Sequence, residues 1–151
     1  MSSFTRFSGE LQTHDADEAS KILGGDYKWV DPGFEYYLDN DHTEKVIIPR
    51  GYLSDGASVP KFLQWLIPVW GKHGQCAVVH DKLCETWETT KRKLNRKEVD
   101  EIFFESMKVA GVNPARRKAI EIGVTLYRLV KQPTKPSPAA IKDLLTREYN
   151  L

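Results

Sequence analysis

The chain has 151 residues, 40% hydrophobic and 11% aromatic, which excludes a disordered segment and fits one globular domain over residues 1–151. Lys and Arg number 22 against 21 Asp and Glu, so a formal net charge of +1 supplies no global field for nucleic acid, and no nucleic-acid partner is expected. No apolar run approaches the ~20 residues of a membrane helix, and the first residues lack the apolar core of a secretory signal. The expectation is a chain without a transmembrane segment that starts out soluble and inside the cell.

Residues 1–25 are polar, with an acidic stretch from His14 to Glu18 and a Gly24-Gly25 end. Residues 26–53 carry strand character. Tyr27 to Val30 is a short apolar run, Pro32-Gly33 a turn, Phe34 to Leu38 a partly alternating aromatic run, and Asp39 to His42 turn chemistry. Lys45 to Ile48 resumes the strand pattern and Pro49-Arg50-Gly51 ends it, which predicts a hairpin or meander.

Residues 54–131 change character. Ser54 to Pro60 is a tight polar loop, and Phe62 to Ile67 an apolar helix or turn stopped by Pro68. A helix is predicted from about Gln75 to Glu88. A second, from Asn95 to Ala110, has Asn95 and Glu98 spaced as a capping box and an apolar stripe of Val99, Ile102, Phe103, Ser106, Met107 and Ala110. Gly111 closes it, and Asn113-Pro114 opens a third helix over 114–131. In residues 132–151, Pro133, Pro136 and Pro138 form a stiff connector to a short helix from Ala139 to Tyr149. Strands first and helices afterwards predict an α+β fold, a small N-terminal antiparallel sheet followed by a bundle of three to four helices.

Cys76 and Cys84 lie eight apart in the first long helix. Their Cα atoms are then roughly 12 Å apart, beyond the ~7 Å a disulfide spans, so both are expected reduced. Two thiols are also too few for a cysteine zinc site.

The run Ala77-Val78-Val79-His80-Asp81-Lys82-Leu83-Cys84 holds the chemistry. His80 follows apolar residues and lies one turn before Cys84, so its ring is expected to face inward. Asp81 points about 100° away and needs a partner of its own. Asp100 sits on the apolar stripe of the next helix, where an acid must be paired. Two antiparallel helices bring it to His80, and a carboxylate behind an imidazole fixes the tautomer of a general base. Asp81, turned toward the polar loop, is then a ligand for a hard cation such as calcium, with Asp55 as the second acid. A buried hydrogen bond that only pins two helices is the competing reading of His80 and Asp100. Gly56 and Ser58 are expected as loop-forming residues, because Asp-Gly-Ala-Ser is not a nucleophile elbow and Ser58 reads as a turn-capping hydroxyl. Trp65, Trp70 and Trp87 read as core bulk, and Lys91-Arg92-Lys93 with Arg96, and Arg116-Arg117-Lys118, as solvated basic clusters.

The stretch from Ile48 to Pro60 (Ile-Pro-Arg-Gly-Tyr-Leu-Ser-Asp-Gly-Ala-Ser-Val-Pro) resembles the opening motif of a phage-associated family catalogued as domain of unknown function 1353. Ala77 to Cys84 and Arg96 to Met107 are similar to its two other signatures, over about residues 34–130. The resemblance implies a bacteriophage or prophage gene, acting in the host cytoplasm or carried in the virion, and no activity. A more distant similarity is to secreted and viral-capsid phospholipases of the A-two type. These place His-Asp on one helix and a further Asp about twenty residues on, with calcium on the adjacent Asp. Carried onto His80, Asp81 and Asp100, it implies a calcium-assisted hydrolase of an ester, lipid or cell-envelope substrate. The chain departs from that pattern in lacking the disulfide framework and the glycine-rich calcium loop, and in carrying Cys84 where an aromatic is typical. The alternative is a non-enzymatic virion or tail-associated protein, in which the same residues cement helices and a tryptophan-rich surface docks other phage proteins.

Overall fold

A computed structural model of the chain describes residues 6–24, 27–54, 74–138 and 140–151. Its fold is α+β, with short antiparallel strands preceding long helices. The strands divide into two sheets rather than one meander. β1 (Thr13–Asp15), β2 (Lys28–Val30) and β5 (Tyr52–Ser54) pair in the order β1-β2-β5, while β3 (Phe34–Tyr37) and β4 (Lys45–Ile48) form a hairpin. Between β1 and β2 lies α1 (Asp17–Leu23), so the polar N-terminal segment contributes a strand and a helix that its composition did not announce.

The hairpin follows from its alternation: Phe34, Tyr36, Val46 and Ile48 are buried, and the residues between them are partly or fully exposed. Its turn is closed by the Asp39 carboxylate, which accepts from the Thr43 and Glu44 amides at 2.8 and 3.3 Å. At Gly33 a Cβ would lie 2.5 Å from the Ile48 carbonyl oxygen, so only glycine lets the two backbones approach this closely.

Four helices follow among the described residues: α2 (Gly74–Thr86), α3 (Arg96–Val109), α4 (Pro114–Lys131) and α5 (Ala140–Tyr149). The boundaries of α3 and α4 fall within a residue or two of their capping signals. The Asn95 side chain accepts from the Glu98 amide while Glu98 accepts from the Asn95 amide, a complete capping box at the start of α3. Asn113 caps α4, with Pro114 in its first turn. Helix α2 buries Cys76, Ala77, Val78, Val79, His80 and Leu83, so it is apolar around most of its circumference and runs through the centre of the molecule. It packs against α3, whose Val99, Asp100, Ile102, Phe103, Ser106 and Met107 are all buried. The expected stripe from Val99 to Met107 is thus the buried face, with Asp100 inside it, while Ala110 is half-buried at the C-cap.

Helix α5 returns to the sheet and packs on β5. Its Tyr149 ring stacks on Trp29 at 4.6 Å between centroids, and the Tyr149 hydroxyl donates to Asp31 at 2.6 Å. Gly51, at φ +80°, leaves the space for it: a Cβ there would be 2.6 Å from Tyr149 Cδ1. The connector before α5 is tied to α2 by the Ser137 amide, which donates to the Cys84 carbonyl at 3.0 Å.

Candidate functional site

The capping box sets where α3 begins and therefore where Asp100 points: into the seam with α2, directly at His80. His80 Nε2 lies 2.7 Å from Asp100 Oδ1, and both side chains are 0% exposed. The carboxylate is held by two more donors. Arg96 Nε reaches Oδ1 at 3.0 Å from one turn earlier on α3, and Arg128 Nη1 reaches Oδ2 at 2.9 Å from α4. One face of the imidazole stacks on Phe103, with centroids 4.5 Å apart. The Cys84 sulfur, one turn along α2, lies 3.9 Å from Nδ1 and 3.8 Å from Nε2.

These contacts decide the charges. Burial drives the His80 pKa down, but the Cys84 sulfur and the Asp100 carboxylate outweigh it and raise the ring to about 9. Burial drives the Asp100 pKa up, and the hydrogen bond and charge of His80, with Arg96, reverse this and hold it below the usual carboxylate value. With Nε2 committed to Asp100, the other ring nitrogen, Nδ1, faces the Cys84 sulfur at 3.9 Å.

Asp81 faces another way, as its position one residue on requires, and meets a group that sequence reasoning missed. Its Oδ2 lies 3.3 Å from the Lys142 ammonium of α5. The same ammonium donates to Glu85 Oε2 at 2.5 Å and lies 3.2 Å from the Tyr52 hydroxyl, which itself donates to Glu85 at 2.6 Å. Lys142 is 7% exposed and sits 4.5 Å from the centre of the Tyr52 ring. Burial lowers the Lys142 pKa, but Asp81 and Glu85 more than restore it and leave the ammonium above its ordinary value. Burial pushes the Glu85 carboxyl up against the opposing pull of Lys142.

The expected calcium ligands fare differently. Asp55, Gly56 and Ser58 lie outside the described residues, as do Trp65 and Trp70. Asp81 is described, and a lysine ammonium stands where a cation was expected. Among the described residues no three His, Cys, Asp or Glu side chains converge as metal ligands. Among the described residues, Asp81 has the Lys142 ammonium as its cationic partner.

The groups that sequence reasoning missed had uneven signals. Glu85 is four residues after Asp81 and shares its helical face, which was readable. Arg96 was assigned to a solvated cluster, although its spacing of four from Asp100 is that of an ion pair. Arg128 and Lys142 lie 28 and 61 residues from the acids they pair with, and no local pattern marks them.

A family model described as "Protein of unknown function (DUF1353)" matches residues 30–124, well over half of the chain, including β3 to β5, His80 and Asp100. No curated protein and no solved structure matches it.

Proposed function

We propose, for a chain that belongs to the DUF1353 family of proteins of unknown function, an ester hydrolase in which His80 is the general base and Asp100 its orienting carboxylate. One observation carries this reading: a fully buried carboxylate, fixed by two arginines, binds Nε2 at 2.7 Å and leaves Nδ1 as the proton acceptor. Nδ1 takes a proton from water as the water oxygen attacks the ester carbonyl. The proton then passes to the departing alkoxide, and acid and alcohol leave. Asp100 stabilises the imidazolium between the two transfers. A bacteriophage or prophage source, a lipid or cell-envelope ester as substrate, and action in the host cytoplasm or from the virion belong to the same proposal.

His80→Gln is the test, assayed on p-nitrophenyl esters and on phospholipid, with folding checked by circular dichroism. Turnover is expected to fall about a hundredfold or more; unchanged turnover in a folded variant overturns the reading. Cys84→Ser is expected to keep most of the turnover, because water is the nucleophile, and its loss would assign the attack to the thiol instead.

For calcium we propose competition: an ion entering beside Asp81 displaces the Lys142 ammonium. Calorimetric titration is expected to give weak binding that Asp81→Asn abolishes and Lys142→Met strengthens. Equal heats in all three proteins exclude calcium at Asp81.

The second reading, a non-enzymatic virion or tail-associated protein, is favoured by the complete burial of His80 and the three donors on Asp100, which suit a pin between helices. It predicts that His80→Gln lowers stability, that no ester is turned over, and that other phage proteins are retained by the immobilised chain.

A further inference from the structure

Helix α4 carries two apolar arcs, and among the described residues only one of them is buried. Ile120, Gly123 and Val124 are buried, with α3 the packing neighbour of this helix. Ile122, Leu126, Leu129 and Val130 are 51%, 52%, 61% and 78% exposed. At about 100° per residue these four fall within an arc of roughly 100° that adjoins the buried one, with Val130 about 20° from Gly123. Helical apolar stripes of this width ordinarily lie against something.

The charges around the arc identify what. Helix α4 carries Arg116, Arg117, Lys118, Arg128 and Lys131 against a single acid, Glu121, in a chain whose total is only +1. Arg128 is committed to Asp100. Arg116, Lys118 and Lys131 are exposed, and Lys118 and Arg116 flank the arc on its two sides. A second copy of the chain would bring basic helix against basic helix. The arc itself presents only aliphatic side chains, with no hydrogen-bonding group to set a register with a protein partner. An anionic phospholipid surface meets both features: acyl chains take up the stripe, and headgroup phosphates take up the flanking cations.

We propose that α4 is an interfacial helix that lies flat on anionic phospholipid through Ile122, Leu126, Leu129 and Val130, with Arg116 and Lys118 at the headgroups. At 18 residues it presents a rod of about 27 Å. The surface carries its own argument and stands whether or not His80 catalyses. The binding assay is therefore run on the full chain and again on His80→Gln, which is expected to bind equally.

Co-sedimentation with vesicles of phosphatidylcholine, with and without phosphatidylglycerol, tests it. Binding is expected to vesicles containing phosphatidylglycerol, about tenfold or more weaker to phosphatidylcholine alone, and reduced severalfold by high salt. Leu126→Glu/Leu129→Glu replaces exposed side chains and should keep the circular dichroism spectrum while losing about tenfold in vesicle binding. Absence of binding to the anionic vesicles overturns the proposal, as does undiminished binding by the folded double variant. A concentration-dependent dimer in analytical ultracentrifugation, abolished by the same variant, also overturns it and gives the arc to a second copy.

Discussion

The raised pKa of His80 sets stability against the base role proposed for it. Its pKa is raised from 6.5 to about 9, so the folded chain holds the ring proton more tightly than the unfolded chain does. The stability this supplies, about 3 kcal/mol at most, is complete below about pH 6.5 and is lost as the pH rises through about 9. Urea midpoints measured across that window should fall, and in His80→Gln this part of the fall should vanish. The neutral ring needed for general-base work appears over the same window, so ester turnover is expected to climb as stability declines. A turnover maximum at acid pH would contradict the role given to Nδ1. Asp100 works with the opposite sign: its pKa is lowered, so its contribution is present above the ordinary carboxylate value and is lost in acid. Asp100→Asn, which leaves two arginines facing a neutral amide in a buried seam, is expected to cost about 3 to 5 kcal/mol in a denaturation midpoint. The pair was legible because a histidine and an acid each stood on an otherwise apolar helical stripe. Its two arginines were not, since solvated basic residues are common and nothing local marks the exceptions.

The elements read from sequence with very different success, and the reason is locality. Helices α3 and α4 end where caps, prolines and Gly111 place them, and each of those signals acts within one turn of chain. Asn95→Ala tests how much rests on one cap. It removes the acceptor for the Glu98 amide, and a loss of about 1 kcal/mol in the urea midpoint is expected. The strands obey no such local rule. β2 has three residues and pairs with β1 and β5, not with its sequence neighbour β3. Its partners are chosen by packing under α1 and α5, where Ala16, Ala19 and Leu53 form a second small core against Trp29 and Leu145. Period-two alternation finds strands but does not assign them to sheets. The three-residue β1, inside an acidic stretch, lacks even that pattern.

Across the whole molecule, the late helix is joined to the early strand and the central helix through one side chain. Lys142 touches Tyr52 of β5 and both Asp81 and Glu85 of α2, with 90, 61 and 57 residues between the partners. Separations of this size put the cluster beyond any periodicity argument, and α5 otherwise reads as an ordinary surface helix with exposed Ile141 and Leu144. Lys142→Met keeps much of the side-chain volume and removes the charge, leaving two carboxylates in a half-buried site without the ammonium that both contact. A loss of about 3 kcal/mol at neutral pH is expected. The sign of its pH dependence separates a charge effect from a packing effect. Without the ammonium, nothing from Lys142 opposes the upward push of burial on the Glu85 carboxyl, so its folded-state pKa rises further above that of the unfolded chain and the variant should regain stability as the pH falls and this acid takes up a proton. Glu85→Gln added to Lys142→Met should recover part of the loss at neutral pH, because one of the two stranded charges is gone. A loss unchanged by acid and by the second substitution would mean that Lys142 holds α5 through its methylene packing on Tyr52, and that the charges on α2 are balanced without it.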